Sequence, residues 1–356
     1  MATGASNDAV QTSELPAGTQ HPETYDWQGS VLGTAYGRRA GSTPATGATS
    51  ADDGFRLQGS VADVALNLHS GLPARQEIAI DGGNRHGSGI LMVPSGYDSS
   101  KQYPLVVAIH NYNGSAADLA NMIDAEHLRK EGNIVFLPDA ADKSWMGNGI
   151  DYFGTKAGDN GKPVDDVAFI QSGIKAVEDR FNVDKNDITV ATFSQGGALG
   201  WKLSSQMDRK PQELGRVRNF ISAAGSDPDG RNGYTVDGLP GTNIVQYEPG
   251  YNGIQNIGNL LNGDPWVSDF LPRVVSAKEA VLKSSTSAHG VDQQIYESPD
   301  GSRVIFLYES SGEHAWPGQP PSYDSWIFGA GSISHVKLTD WVSQLSAAGR
   351  TPGDGR

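Results

Sequence analysis

The stretch Ile188 to Leu199, ITVATFSQGGAL, restricts the fold more than any other part of the chain. A β-branched apolar run stops at Phe193-Ser194-Gln195-Gly196-Gly197, and a helix-compatible segment follows with no loop between them. Strand and helix can be joined this abruptly only through a sharp corner where small residues let the two backbones pass close together. Gly196 and Gly197 provide that on one side. On the other side Thr192 stands where the G-x-S-x-G pattern has glycine, which predicts a slightly wider turn.

The rest of the chain supplies the sheet that such a corner needs. Gln76 onward (QEIAIDGG, then GSGILMVPSGY) predicts two short strands around the turn residues Gly82-Gly83-Asn84, an antiparallel entry. Leu105 to Ile109 (LVVAI) is a continuous apolar run, as expected of a parallel strand covered on both faces. A helix over Ala116 to Lys130, a strand at Ile134 to Leu137 and a helix over Asp165 to Phe181 follow. On that last helix Val167, Ile170, Ile174, Val177 and Phe181 keep the three-and-four spacing of one buried face. Strands are predicted at Ile188 to Thr192, Phe220 to Ala223, Ile244 to Tyr247 and Val304 to Tyr308, with helices around Leu271 to Leu282 and Val336 to Leu345. This alternation is that of an α/β protein, a mostly parallel central sheet with helices on both faces.

Composition narrows the partners. With 27 Lys plus Arg against 41 Asp plus Glu, the net charge of −14 disfavours nucleic acid. The absence of cysteine excludes disulfides, thiolate catalysis and Cys-ligated zinc. No run approaches the roughly 18 apolar residues of a membrane span, and the N-terminus has no basic-then-apolar signal pattern. Gly, Ser and Thr richness and low lysine content suggest a mature secreted or periplasmic chain behind an initiator Met. Residues 1–70 read as a Gly/Ser/Thr-rich arm, partly ordered, in which Tyr25, Trp27 and Tyr36 dock onto the main domain. Residues 71–350 form that domain and 351–356 a tail. Oligomeric state is not legible.

In a parallel sheet, sites form beyond the carboxyl ends of the strands. A serine at the corner described above is exposed for attack, and the N–H of the next residue can stabilise an oxyanion. Ser194 is therefore the candidate nucleophile. The N–H groups of Gln195 and of Tyr112, in His110-Asn111-Tyr112-Asn113-Gly114 after LVVAI, are the candidate oxyanion donors. His314, in GEHAWPG after VIFLY, is late in the chain and directly beyond a strand, the order of a Ser…acid…His arrangement; His335, at the last helix, is its competitor. For the acid, Asp264 in NGDPW is the choice, with Asp269 and Glu248 as alternatives. Trp145, Trp266, Trp316 and Tyr112 stand near these segments, and their flat faces suit an ester-bearing polymer or an aryl acyl group. No metal or organic cofactor is required.

PLVVAIHNYNGSAADL, VDDVAFIQSGIKAVEDRFNVDKNDITVATFSQGG and GEHAWPG together resemble the α/β-hydrolase esterases grouped around polyhydroxybutyrate depolymerases and feruloyl esterases, over about Gln76 to Leu345. The resemblance implies an α/β-hydrolase fold, with Ser194 as nucleophile, His314 as general base and acid, and the Tyr112 region in the oxyanion hole. Asp264 matches the acid loop of that family loosely. Thr192 and Asn111 replace glycines common in it. The implied activity is hydrolysis of a polyester or a small or aryl ester through an acyl-enzyme. Oxidised poly(vinyl alcohol) hydrolases, which cleave β-diketones, share the resemblance. A non-catalytic polymer- or carbohydrate-binding protein on the same scaffold is the reading from another class.

Overall fold

Gly83 and Asn84 both adopt positive φ, 60° and 63°, and join β1 (Arg75–Gly82) to β2 (Arg85–Met92) with Gly82 opposite Arg85. Two consecutive residues in that region match the right-handed twist of a tight hairpin, which is why Gly-Asn is placed there. The turn abuts a helix start, since the N–H of Asp165 donates to Gly83 O at 2.8 Å. A Cβ on Gly83 would fall 1.8 Å from Asp165 O, so only glycine fits. The computed structural model describes residues 74–146, 157–225, 239–249, 266–312, 314–318, 334 and 336–347, the side chains of 266–270 excepted. The expected arm, with Tyr25, Trp27 and Tyr36, and the expected tail lie outside the described residues.

Beyond the hairpin come β3 (Tyr103–Ile109), β4 (Ile134–Pro138), β5 (Val183–Phe193), β6 (Val217–Ala223), β7 (Asn243–Pro249), β8 (Val281–Ala288), β9 (Val291–Glu297) and β10 (Arg303–Glu309). They form one sheet in the order β1-β2-β4-β3-β5-β6-β7-β10-β9-β8. The run from β4 to β10 is parallel, and each end is finished by antiparallel strands. Every residue of β4 is buried, as its unbroken apolar sequence requires.

Helices α1 (Ala116–Met122), α2 (Ala125–Lys130), α3 (Asp166–Glu178), α4 (Gly196–Arg209), α5 (Pro211–Leu214), α6 (Trp266–Ala277) and α7 (Leu338–Ala347), with a 3-10 turn at Ala141–Lys143, complete the described elements. On one face Ile170, Ile174, Leu199, Leu203 and Val274 close over Val107, Val190, Phe220, Ile244 and Val304. On the other, Leu119, Leu128, Leu338 and Val342 close over Val106, Ala191, Ile221, Val245 and Leu307. The five positions expected to form the buried face of the 165–181 helix are all buried.

Three local expectations change. The single helix over 116–130 is two, because Asp124 takes φ 49° and its side chain caps α2 by accepting from His127 N at 3.2 Å. The helix expected around Leu271 to Leu282 runs from Trp266 to Ala277. The chain turns away at Glu279, φ 50°, and carries Leu282 into β8. The β8–β9 hairpin was not anticipated; it turns at His289 and Gly290, φ 55° and 78°. All eight residues of β8 are exposed, including Val281 at 57% and Leu282 at 51%. Among the described residues no helix is long and apolar enough to cross a membrane.

Candidate functional site: a serine and a histidine at the carboxyl ends of the parallel strands

Ser194 follows the last residue of β5 and has φ 54°, a left-handed conformation that a non-glycine residue holds only where its surroundings enforce it. Two backbone bonds do so. Its N–H donates to Ala223 O of β6 at 3.0 Å, and its carbonyl accepts from Gly197 N at 2.9 Å as α4 begins. The helix start is pressed onto the end of β3, so a Cβ on Gly196 would come within 2.4 Å of Ile109 O and 2.9 Å of His110 O. Thr192 stands on the strand side of this corner, fully buried. Its extra bulk is taken up one turn into α4, where a Cβ on Gly200 would meet Thr192 Cγ2 at 2.3 Å.

His314 reaches this corner from the far side. Its Nε2 is 3.0 Å from Ser194 Oγ, and its ring lies against Phe193 with centroids 5.2 Å apart. Both partners are buried, Ser194 at 8% and His314 at 4% exposure, and burial pushes the imidazole down to about 4. The loop that carries His314 is tied down behind it. Glu309, the last residue of β10, accepts from Tyr247 Oη at 2.7 Å and from Ser334 Oγ at 2.6 Å. Burial, and then the bond to Glu309, raise the Tyr247 phenol above its ordinary value. Gly312 passes so close that a Cβ would sit 2.5 Å from the Tyr247 hydroxyl.

The wall on the opposite side of Ser194 is built from three segments. Gln195 opens α4, and its N–H belongs to the first helical turn, whose donors have no acceptor within the helix. Its side chain is buried: Oε1 accepts from Trp145 N at 3.1 Å, while Nε2 donates to Ser144 Oγ at 3.2 Å and Trp145 O at 3.4 Å. Trp145 Nε1 in turn donates to His110 O at 2.7 Å, and the two rings meet in a tilted contact with centroids 4.6 Å apart. His110 is fully buried, which lowers its pKa. After it, Asn111 to Gly114 form a turn in which Gly114 N donates to Asn111 O at 3.2 Å, and Tyr112 is half-buried on that turn.

The sequence expectation that Trp145 and Trp316 present ring faces to a substrate is corrected by their burial. Trp145 has no exposed surface, and Trp316 is 2% exposed with its Nε1 donating to Thr339 Oγ1 at 3.1 Å. Asp264, Glu313 and His335 lie outside the described residues, as do the side chains of Trp266 and Asp269. Glu248 is fully buried near the end of β7 and accepts from Gln246 Nε2 at 2.6 Å.

A buried ion pair behind this wall escaped the sequence reading. Arg85 Nε meets Asp166 Oδ1 at 2.7 Å, Arg85 Nη2 donates to Asp139 O at 2.8 Å, and Asp166 Oδ2 accepts from Met146 N at 2.6 Å. The guanidinium also lies 3.3 Å over the Phe169 ring. The signal was the doublet Asp165-Asp166 ahead of the best helix. One carboxylate caps that helix through Ala168 N at 3.1 Å, and the other turns inward.

No family model matches the chain. Probable feruloyl esterase C of Aspergillus terreus is 31% identical over 121 residues, which is 32% of this chain and 40% of that protein. Feruloyl esterase C of Emericella nidulans is 28% identical over 121 residues, again 32% of this chain and 40% of that protein. The chain therefore spans about two fifths of the length of these curated relatives. Among solved structures, the acetyl xylan esterase from Aspergillus awamori aligns with a TM-score of 0.46 at 14% identity, covering 68% of this chain and 94% of that one. Strand order, serine corner and shared stretch together make this chain an α/β-hydrolase-fold protein similar to the feruloyl esterases.

Proposed function

We propose that the chain is a serine esterase acting on carboxylic esters through an acyl-enzyme. The observation that carries this reading is the 3.0 Å contact between Ser194 Oγ and His314 Nε2, made by a serine whose φ of 54° turns it out of the sheet. At neutral pH an imidazole pushed down to about 4 by burial is unprotonated, so Nε2 is open to the serine proton, and a carboxylate partner is what would strengthen it as a base. Ser194 Oγ attacks the ester carbonyl as its proton passes to His314 Nε2. The N–H groups of Gln195 and Tyr112 receive the developing oxyanion, and His314 returns the proton to the departing alcohol. Water then repeats the sequence on the acyl-serine and releases the acid. Asp264 is the carboxylate assigned to orient the imidazole and stabilise its charged form. It is the only acidic residue in the segment between β7 and α6.

Aryl esters of the feruloyl type are the first substrate class, on the strength of the related proteins' names; polyesters of the polyhydroxyalkanoate type are the second. A secreted or periplasmic location is part of this reading. The test is Ser194→Ala, assayed on methyl ferulate, p-nitrophenyl esters and polyhydroxybutyrate with a fluorophosphonate label as a second readout. Turnover should fall by about 10⁴-fold or more with the fold intact, and labelling should vanish. An undiminished rate discards the assignment. A wild-type protein that neither labels nor turns over is a binding protein. With a β-diketone added as substrate, release of a carboxylic acid and a methyl ketone, in place of the acid and alcohol of ester hydrolysis, would identify the poly(vinyl alcohol) chemistry.

A further inference from the structure

The two groups assigned to the oxyanion lie on different elements, β3's loop and α4's first turn, and a single buried residue, Trp145, is bonded to both segments, by its backbone to the Gln195 side chain and by its indole to His110 O. We infer that Trp145 is a positioning residue that sets the spacing of the two oxyanion donors, an inference that rests on the esterase reading above. On one side, its backbone N–H and C=O are held by the Gln195 carboxamide, the side chain of one donor residue. On the other, its indole N–H holds His110 O at 2.7 Å, one residue ahead of the Asn111–Tyr112 peptide.

His110 carries the constraint the remaining distance. Ala140 N–H can only donate, and it meets His110 Nε2 at 3.1 Å, so Nε2 is unprotonated. The hydrogen is therefore on Nδ1, which donates to Asn111 O at 2.7 Å. That carbonyl shares its peptide plane with Tyr112 N–H. In a trans peptide the two point in opposite directions, and there are no cis peptides among the described residues. Pulling Asn111 O toward the imidazole therefore turns Tyr112 N–H away from it. Burial disfavours a charged His110, which keeps this tautomer in place. The two rings also pack against each other in a tilted contact, centroids 4.6 Å apart and planes 39° apart, which restricts rotation of the imidazole.

The test is Trp145→Phe, which retains an aromatic ring and removes the bond to His110 O. Kinetics on methyl ferulate are compared with inhibition by benzeneboronic acid, whose tetrahedral serine adduct places a negative oxygen at the oxyanion position. Fluorophosphonate titration counts intact sites. Losing a full oxyanion donor costs about 10² to 10³ in kcat, and a misaligned one should cost about tenfold to hundredfold. The expected result is that loss in kcat with KM changed less than about threefold, full titration and a matching loss in boronate affinity. An unchanged kcat overturns the inference. So does a loss that only follows the count of titratable sites. If Trp145→Phe does not fold, Gln195→Met releases the same frame from the other end while keeping the Gln195 N–H. It should give the same paired loss, and its absence overturns the inference equally. In each case wild type is the reference: an inert wild type condemns the esterase reading, whereas an active wild type with an unaffected variant condemns only the role of Trp145.

Discussion

The methyl group of Thr192 fills the space that a side chain on Gly200 would need: a Cβ at Gly200 would stand 2.3 Å from Thr192 Cγ2. The serine corner tolerates threonine on its strand side because glycine stands one turn along the following helix. The two residues are eight positions apart and form one packing unit.

Gly200→Ala alone should destabilise the protein by about 1–3 kcal/mol, the usual range for overpacking, despite alanine's better helix propensity. Thr192→Ser removes Cγ2 and keeps the hydroxyl that donates to Ile221 O at 3.4 Å. In that background the Gly200→Ala penalty should largely disappear. Urea unfolding of the four proteins measures the coupling, and simple additivity would refute the packing argument.

Buried imidazoles predict an acid-sensitive fold. His314 is held at about 4, below the ordinary value near ~6.5, and His110 is shifted in the same direction by burial. Between those limits the unfolded chain binds more protons than the folded one. Stability from these groups is therefore complete above about 6.5 and is lost as pH falls toward 4. Urea unfolding of Ser194→Ala at pH 7 and pH 4.5 should show the lower stability at pH 4.5; equal stability contradicts the shift.

Replacing Asp264 by Asn, Asp269 by Asn and Glu248 by Gln, one at a time, should single out Asp264. Its variant should lose about 10⁴-fold in kcat and the other two less than about tenfold. The acid limb of kcat/KM should also move to lower pH in Asp264→Asn, since the imidazolium loses its counter-charge. A large loss at Glu248 or Asp269 reassigns the acid.

For Arg85 and Asp166, burial lowers the first and raises the second, so in each case desolvation outweighs the attraction between them. Such a pair adds little net stability but is costly to break. Arg85→Met should destabilise by about 3–5 kcal/mol, by leaving the Asp166 charge uncompensated. Adding Asp166→Asn should recover most of that, because a carboxamide oxygen can still accept from Met146 N. Failure of the second change to recover stability, measured by urea unfolding, would mean that the pair's charges are not the issue.

Much of this architecture was legible because long apolar runs and three-and-four spacing report burial directly. The strands at Leu105 to Ile109 and Ile188 to Thr192 and the buried face of α3 belong to that class. Ser194 and His314 were legible from their place after strands, and the contact between them joins residues 120 positions apart. The β8–β9 hairpin was not, because VLKSSTSA is exposed at every position and so has no inside to alternate with. The end of α6 was misread because its stop is Glu279 in a left-handed conformation, with no glycine to mark it. Trp145 was read as a contact surface because a sequence names an indole without saying which way its N–H points. Its bond to His110 O, and the tautomer that follows, are properties of three segments brought together.

The exposed hairpin has one more effect. By adding β9 and β8 outside β10, it makes the strand that delivers the histidine an interior strand, bonded to β7 on one side and β9 on the other. Any fraying at this border of the sheet starts in the exposed ribbon, with β8 and β9 between the sheet's edge and the strand that leads to the imidazole.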